Sequence, residues 1–129
     1  MEKMEPTNKA VGMMVRERRK ARRYHLLTRV DVLVAGDANV YWGSMLSWSN
    51  TGVALCARQF LKPGQTVTVR FRFRGEEGRE TTESLAAKVI WRNGDNTGLG
   101  FAPPLTSSSP ALQAAPHLAA HLIAREAGR

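Results

Sequence analysis

The stretch TVTVRFRFR, Thr66 to Arg74, decides the fold class. Val67, Val69, Phe71 and Phe73 take every second position, and Thr66, Thr68, Arg70, Arg72 and Arg74 fill the places between. Successive side chains of a strand point to opposite faces, so the pattern describes a strand with one face in an apolar core and solvated arginines on the other. A half-buried strand of this kind belongs to antiparallel sheet, because parallel sheets are covered on both faces and read as continuous apolar runs.

Working outward, Lys62, Pro63 and Gly64 turn the chain before this strand, and Gly75 to Gly78 reverses it afterwards. Upstream, Val30, Val32 and Val34 alternate with Arg29, Asp31 and Leu33, and the turn residues Gly36, Asp37 and Asn39 follow. NVYWGSMLSW, Asn39 to Trp48, and GVALCA, Gly52 to Ala57, read as the second and third strands, joined by the Ser-Asn-Thr-Gly turn at Ser49 to Gly52. Downstream, Glu80 to Trp91 alternates less regularly, NGDNTG turns the chain again, and GLGFA, Gly98 to Ala102, is a last short strand. Six short strands separated by five turns point to an all-β fold, a small six-stranded antiparallel β-barrel, since closure removes edges that would otherwise pair with other chains.

Beyond the barrel, PPLTSSSP has the composition of a linker, and ALQAAPHLAAHLIAREAG carries Leu118, Leu122 and Ile123 at helical spacing. Pro116 would kink a helix begun at Ser109 and Pro110, so the firm C-terminal α-helix is expected to start at Pro116. Its apolar face could cover a barrel opening or meet a partner. The expected divisions are a disordered tail over 1–15, a barrel domain with its basic arm over 16–103, and a linker and helix over 104–129. Met13 and Met14 leave the true start of translation open.

At 129 residues the chain holds one domain with a modest core. No apolar run approaches the roughly 18 residues of a membrane span, and MEKMEPTNKA lacks the basic-then-apolar order of a secretory signal. A soluble, cytoplasmic protein without membrane insertion is the expectation. The single Cys56 forms no internal disulfide, and its place in GVALCA predicts a buried thiol.

The formal charge of +8 is concentrated in RERRKARR, Arg16 to Arg23, where five Arg and one Lys oppose Glu17. Such a run serves as a solvated arm or as a loose phosphate contact. Arginine adds a planar fork that bonds guanine O6 and N7 in pairs, grips phosphate and stacks on a purine. The segment runs straight into the first strand, which tethers its arginines near the barrel. By contrast, His25, His117 and His121 have no carboxylate pair or activated nucleophile beside them in sequence. His117 and His121, four apart, share a helical face without a third ligand at metal spacing, so exposed structural histidines are expected. GLGF lacks the spacing and following helix of a dinucleotide fingerprint. The reading is a non-enzyme without a cofactor.

RKARR supplies Arg19 and Arg23 in an Arg-x-x-x-Arg pattern, Arg18 and Arg22 satisfy the same spacing one residue earlier, and SWSNTG supplies Ser49 and Gly52 one strand pair later. In these features the chain resembles the PilZ domain, the bacterial receptor module for cyclic di-GMP, whose second motif is (Asp or Asn)-x-Ser-x-x-Gly. The similarity continues through YHLLTRVDV, GVALCA, the Lys-Pro-Gly turn, TVTVRF and AKVIWRNGDNTGLGF, roughly residues 17 to 102. Ser47 stands where the family has Asp or Asn, and its hydroxyl offers one contact where a carboxylate or amide offers two, a loss on the order of 1 to 3 kcal/mol.

The resemblance implies a cyclic di-GMP site in which Arg18, Arg19, Arg22 and Arg23 clamp bases and phosphates, while Ser47, Ser49 and the backbone at Gly52 form the other wall. It further implies an arm that orders on binding and passes the signal to an unidentified protein partner. A degenerate interaction module in a pilus or motility assembly, with Ser47 as the trace of lost binding, is the alternative. Trp91 could touch ligand or partner, but a core or barrel-edge aromatic is the expectation. A nucleic-acid binder ranks third, because the chain lacks an exposed series of aromatics on which single strands stack.

Overall fold

The computed structural model describes residues 24–57 and 61–127 of the protein. Six strands, β1 (Tyr24–Val34), β2 (Val40–Trp48), β3 (Gly52–Cys56), β4 (Thr66–Gly75), β5 (Glu80–Asn93) and β6 (Asn96–Gly100), precede a 3-10 turn at Pro110–Ala114 and a helix, α1, at Pro116–Ala127. The strands close into an antiparallel barrel in the order β1-β2-β3-β6-β5-β4, with β1 meeting β4 to complete the ring. The expected six-stranded barrel and C-terminal helix are therefore present. The expected disordered tail and the whole Arg16 to Arg23 segment lie outside the described residues.

The β4 alternation works as the pattern requires. Val67, Val69, Phe71 and Phe73 are buried, with Val69 opposite Val32 of β1 and Leu85 of β5, and Phe71 opposite Val30 and Glu83. With Leu55, Val53, Val89 and Leu99 from the remaining strands and Leu61 from the connection between β3 and β4, they form one apolar cluster. Full burial of each such side chain contributes about 1.5 to 3 kcal/mol.

α1 closes the barrel end at which β1 begins and β4 finishes. Pro116 takes the first helical position, where its missing N–H costs nothing. Leu118 and Leu122 enter the core, and Glu83, an inward-facing carboxylate on β5, accepts hydrogen bonds from the backbone N–H groups of His117 (2.9 Å) and Leu118 (2.8 Å). A carboxylate on orphan amides at the positive end of a helix is doubly favoured. Of the two roles open to the helix's apolar face, it takes the covering one.

Three expectations need correction. Cys56 is exposed. On β3, Val53 and Leu55 point inward and Cys56 points out with Ala54, so small apolar residues on the outer face hide a half-buried alternation inside an apolar-looking run. Neither His117 nor His121 is fully exposed. His117 stacks on Tyr24 at 4.0 Å between ring centroids, both histidines tilt against Phe73, and His121 Nε2 lies 3.3 Å from the Tyr24 carbonyl oxygen.

The outer-face arginines of β4 are also not simply solvated. Asp31, on the outer face of β1 yet only 1% exposed, holds Arg72 Nη2 at 2.7 Å, Arg70 Nε at 3.2 Å and Arg29 Nε at 3.4 Å, and Arg74 pairs with Glu80 at 3.1 Å. Burial by itself would raise the Asp31 carboxyl. The hydrogen bonds and charges of Arg72 and then Arg70 outweigh that and hold it below the ordinary carboxylate range.

Candidate functional site

The turn between β2 and β3 is fixed from several sides. Ser49 N–H donates to the Gly52 carbonyl at 2.9 Å, and Thr51 N–H donates to Ser49 Oγ at 3.2 Å, which in turn lies 2.9 Å from Thr51 Oγ1. From the other side, Phe101 N–H donates to the Thr51 carbonyl and Leu105 N–H to the Asn50 carbonyl. The turn backbone is thus satisfied by protein, as a hydroxyl-bearing turn needs. A hydroxyl has more than one lone pair and one rotatable proton, so Ser49 and Thr51 keep capacity for a further partner.

Gly52 is demanded by the fold. A Cβ at that position would lie 2.1 Å from the Leu99 carbonyl oxygen of β6, an overlap that backbone cannot relieve by a side-chain rotation. The close approach that glycine permits is therefore between β3 and β6.

Next to the turn, cross-strand register builds a continuous row on the outer surface. Ser47 pairs with Ala54, Ala54 with Gly98, and Gly98 with Trp91, so four strands contribute one residue each. Bulges frame the row at both edges. The β2 register shifts between Met45 and Ser47, and the β5 register shifts between Val89 and Trp91, which leaves Ile90 and Trp91 both exposed although they are adjacent. A bulge re-aims side chains in this way by placing two residues against one. The two glycines of Gly98-Leu99-Gly100 lie beneath them: a Cβ on Gly98 would fall within 2.1 to 2.7 Å of three atoms of the Trp91 indole, and one on Gly100 would fall 2.8 Å from Ile90 Cγ1.

The result is a cleft of about 370 Å³ with Ser47, Ser49, Thr51 and Gly52 on one side, Ala54 and Gly98 in the floor, and Ile90 and Trp91 opposite. That volume is in the range of small-molecule sites. Arg125 of α1 reaches its margin and is the single charged residue among the described ones lining it. A cleft with hydroxyl groups, a flat aromatic and a cation, and without a carboxylate among those residues, suits an anionic ligand with a planar ring.

Three of the seven residues expected at the site, Ser47, Ser49 and Gly52, are brought together at this cleft. Arg18, Arg19, Arg22 and Arg23 lie outside the described residues. Arg23 directly precedes Tyr24, whose ring packs against α1 at the barrel end that α1 closes. Trp91, expected as a core or barrel-edge aromatic, is not in the core: it is 44% exposed and lines the cleft. Thr51, Ala54, Ile90 and Arg125 were not anticipated. Two glycines two apart, and so on one strand face, were a readable sign of something lying across that face, whereas Arg125 has no local signal because its position depends on how α1 docks.

Among the described residues no helix is long and apolar enough to cross a membrane, and no three His, Cys, Asp or Glu side chains converge as a metal site would require. The closed six-stranded barrel, with a hydroxyl turn at one end of an outer-face cleft, places the chain in the class of small antiparallel barrels. Comparison with known families matches the PilZ domain over residues 17–113, most of the chain. The chain belongs to the PilZ domain family, the family of cyclic di-GMP receptors. No curated protein matches it.

Proposed function

We propose that the protein is a non-enzymatic cyclic di-GMP effector of the cytoplasm, in which the ligand lies between the basic arm and the serine turn. The carrying observation is the convergence of Ser47, Ser49 and Gly52 on one cleft without a carboxylate among its described lining residues. Arg19 and Arg23, or Arg18 and Arg22, would supply the guanidinium forks for guanine edges and phosphates, with Ser47 and Ser49 as hydroxyl partners on the opposite wall. The arm enters β1 directly, so ligand that fixes the arm changes the surface next to Tyr24 and offers a protein partner a different face.

Calorimetric titration with cyclic di-GMP, with linear dinucleotide and GTP as competitors, tests this reading. Saturable uptake of the cyclic compound is expected, and Arg19→Ala or Arg23→Ala should remove about 2 to 5 kcal/mol of it. Failure of the wild-type chain to take up the dinucleotide at high micromolar concentration would sink the proposal.

One observation favours a second reading. Ser47 faces the cleft at the position where the family motif has Asp or Asn, so a module that has lost the ligand and now serves protein interaction in a pilus or motility assembly accounts for the same surface. Ser47→Asn separates the two. A gain of about tenfold in affinity supports the effector, and an unchanged, undetectable titration supports the interaction module.

A further inference from the structure

None of the residues around Asp31 lines the cleft, and the serine turn gives no reason for the apolar side chains that stand exposed beside them. Val40 and Trp42, two apart and so on one face of β2, are 50% and 46% exposed. Val40 stands opposite half-buried Leu33 of β1, Trp42 stands opposite Asp31, and the Arg29 guanidinium carbon lies 4.7 Å from the centre of the Trp42 ring. A cation over the aromatic face holds the indole in place and leaves its remaining surface to solvent. Three neighbouring apolar residues on the outside of an antiparallel wall depart from the polar outer face that such walls present, and they mark an interaction surface.

The charges next to this patch have one sign on the outside. The Asp31 side chain is 1% exposed, whereas Arg29, Arg70 and Arg72, which lie against it, are 29% to 53% exposed. Together with Arg74 they share two carboxylates, Asp31 and Glu80, so a surplus of two positive charges remains among these six groups. Tied down in this way, the arginines build no pocket for a small anion. To a larger partner they offer a fixed cationic margin beside an apolar centre, the layout of a protein interface in which the apolar part anchors and the charges steer.

We propose that this face docks an acidic amphipathic helix of another protein, with apolar residues on Val40, Leu33 and Trp42 and carboxylates turned towards Arg29 and Arg70. A strand is the poorer occupant, because the six strands close into a ring and leave no edge to extend. A helix fits the spacing: residues two apart on a strand are about 6.8 Å apart, and helix positions three or four apart set their side chains about 6 Å apart. A second copy of the chain would bring the same surplus of positive charge against itself. The inference does not rest on the cyclic di-GMP reading. It gives the effector and the interaction module alike a partner surface that is present without ligand.

The test uses the full chain without nucleotide and a fluorescein-labelled helical peptide with leucines four apart and Glu on either side of them, followed by anisotropy and stopped flow. Wild type should bind the peptide saturably in the micromolar range, and peptides with Gln for Glu or Ser for Leu should bind about tenfold more weakly. Trp42→Ala should raise Kd about tenfold through faster dissociation, whereas Arg29→Glu should slow association about tenfold and flatten its salt dependence. Arg29→Lys should associate at close to the wild-type rate, since the charge remains. Thermal unfolding of each variant checks that these exposed substitutions leave the barrel intact. No uptake of the acidic peptide by wild type at high micromolar concentration overturns the inference, as does uptake that Trp42→Ala and Arg29→Glu change by less than about twofold. A sedimenting dimer that Trp42→Ala dissolves assigns the face to a second copy, and adsorption to phosphatidylglycerol vesicles that Trp42→Ala abolishes, without peptide binding, assigns it to a membrane; either result overturns the partner named here.

Discussion

The two sides of the barrel wall use arginine in opposite ways. On the outer face of β1 and β4, Asp31 gathers Arg29, Arg70 and Arg72, and Glu80 takes Arg74, so every one of these arginines lies against a carboxylate of the same surface. At the cleft on the outer face of β2, β3, β6 and β5, the wall is built from Ser, Thr, Ala and Gly beside the exposed Ile90 and Trp91, with Arg125 as the charge among the described lining residues. One side ties its arginines to carboxylates and the other keeps room, hydroxyls and a cation. The contrast teaches that net charge does not locate an anion site; a cation matters there only when no carboxylate of the same protein has claimed it.

The largest expected effect breaks the open side. Gly52→Ala drives a Cβ into the Leu99 carbonyl oxygen, and the β3–β6 ladder must part locally; thermal or denaturant unfolding should show a loss of about 3 kcal/mol. A variant as stable as wild type would mean that glycine is there for the ligand and not for the barrel.

The charged side gives the next effect. Asp31→Asn leaves three guanidinium groups without their shared carboxylate and should cost about 2 kcal/mol near neutral pH, less than a fully buried pair because the arginines are partly in water. The native Asp31 carboxyl lies below its unfolded value of about 3.9, so its contribution is whole above that pH and fades as pH falls through the lowered native value. Wild type and variant should therefore converge in stability only under more acidic conditions than pH 3.9. A constant gap down to the most acidic pH at which the protein stays folded would contradict the assigned pairing.

The smallest effect on stability sharpens the comparison instead of breaking it. Gly98→Ala needs only the exposed Trp91 ring to lift, at about 1 kcal/mol, yet it moves that ring off the β6 backbone. Unfolding should move slightly while Trp91 fluorescence shifts toward that of a fully solvated indole, and a spectrum identical to wild type would count against the described ring position.

Much of this fold was written in local pattern. The alternation over Thr66 to Arg74 and the turn residues between strands specify a barrel because each strand must bury one face, and Pro116 marks the helix start through its missing donor. Ser47, Ser49 and Gly52 were singled out through the spacing of a family motif, and they line one cleft because they are close in sequence and joined by a turn. Cys56 was misread because Ala54 and Cys56 are apolar on a face that is solvated, and alternation disappears when both faces carry apolar residues. Arg125, Glu83 and the Asp31 cluster depend on which elements meet, and pairs separated by 34 to 41 residues leave no trace in a window of ten.

Glu83 also bears on how the chain survives cleavage. Its carboxylate rises from the barrel wall yet binds amides that the backbone reaches 34 and 35 residues later. A protease nick in the exposed stretch between Ala102 and Pro104 would sever the covalent path and leave the stopper seated, so the two fragments should travel together through a sizing column. Loss of the helix itself would uncover the barrel end at Phe73 and leave an apolar patch that adheres to its neighbours.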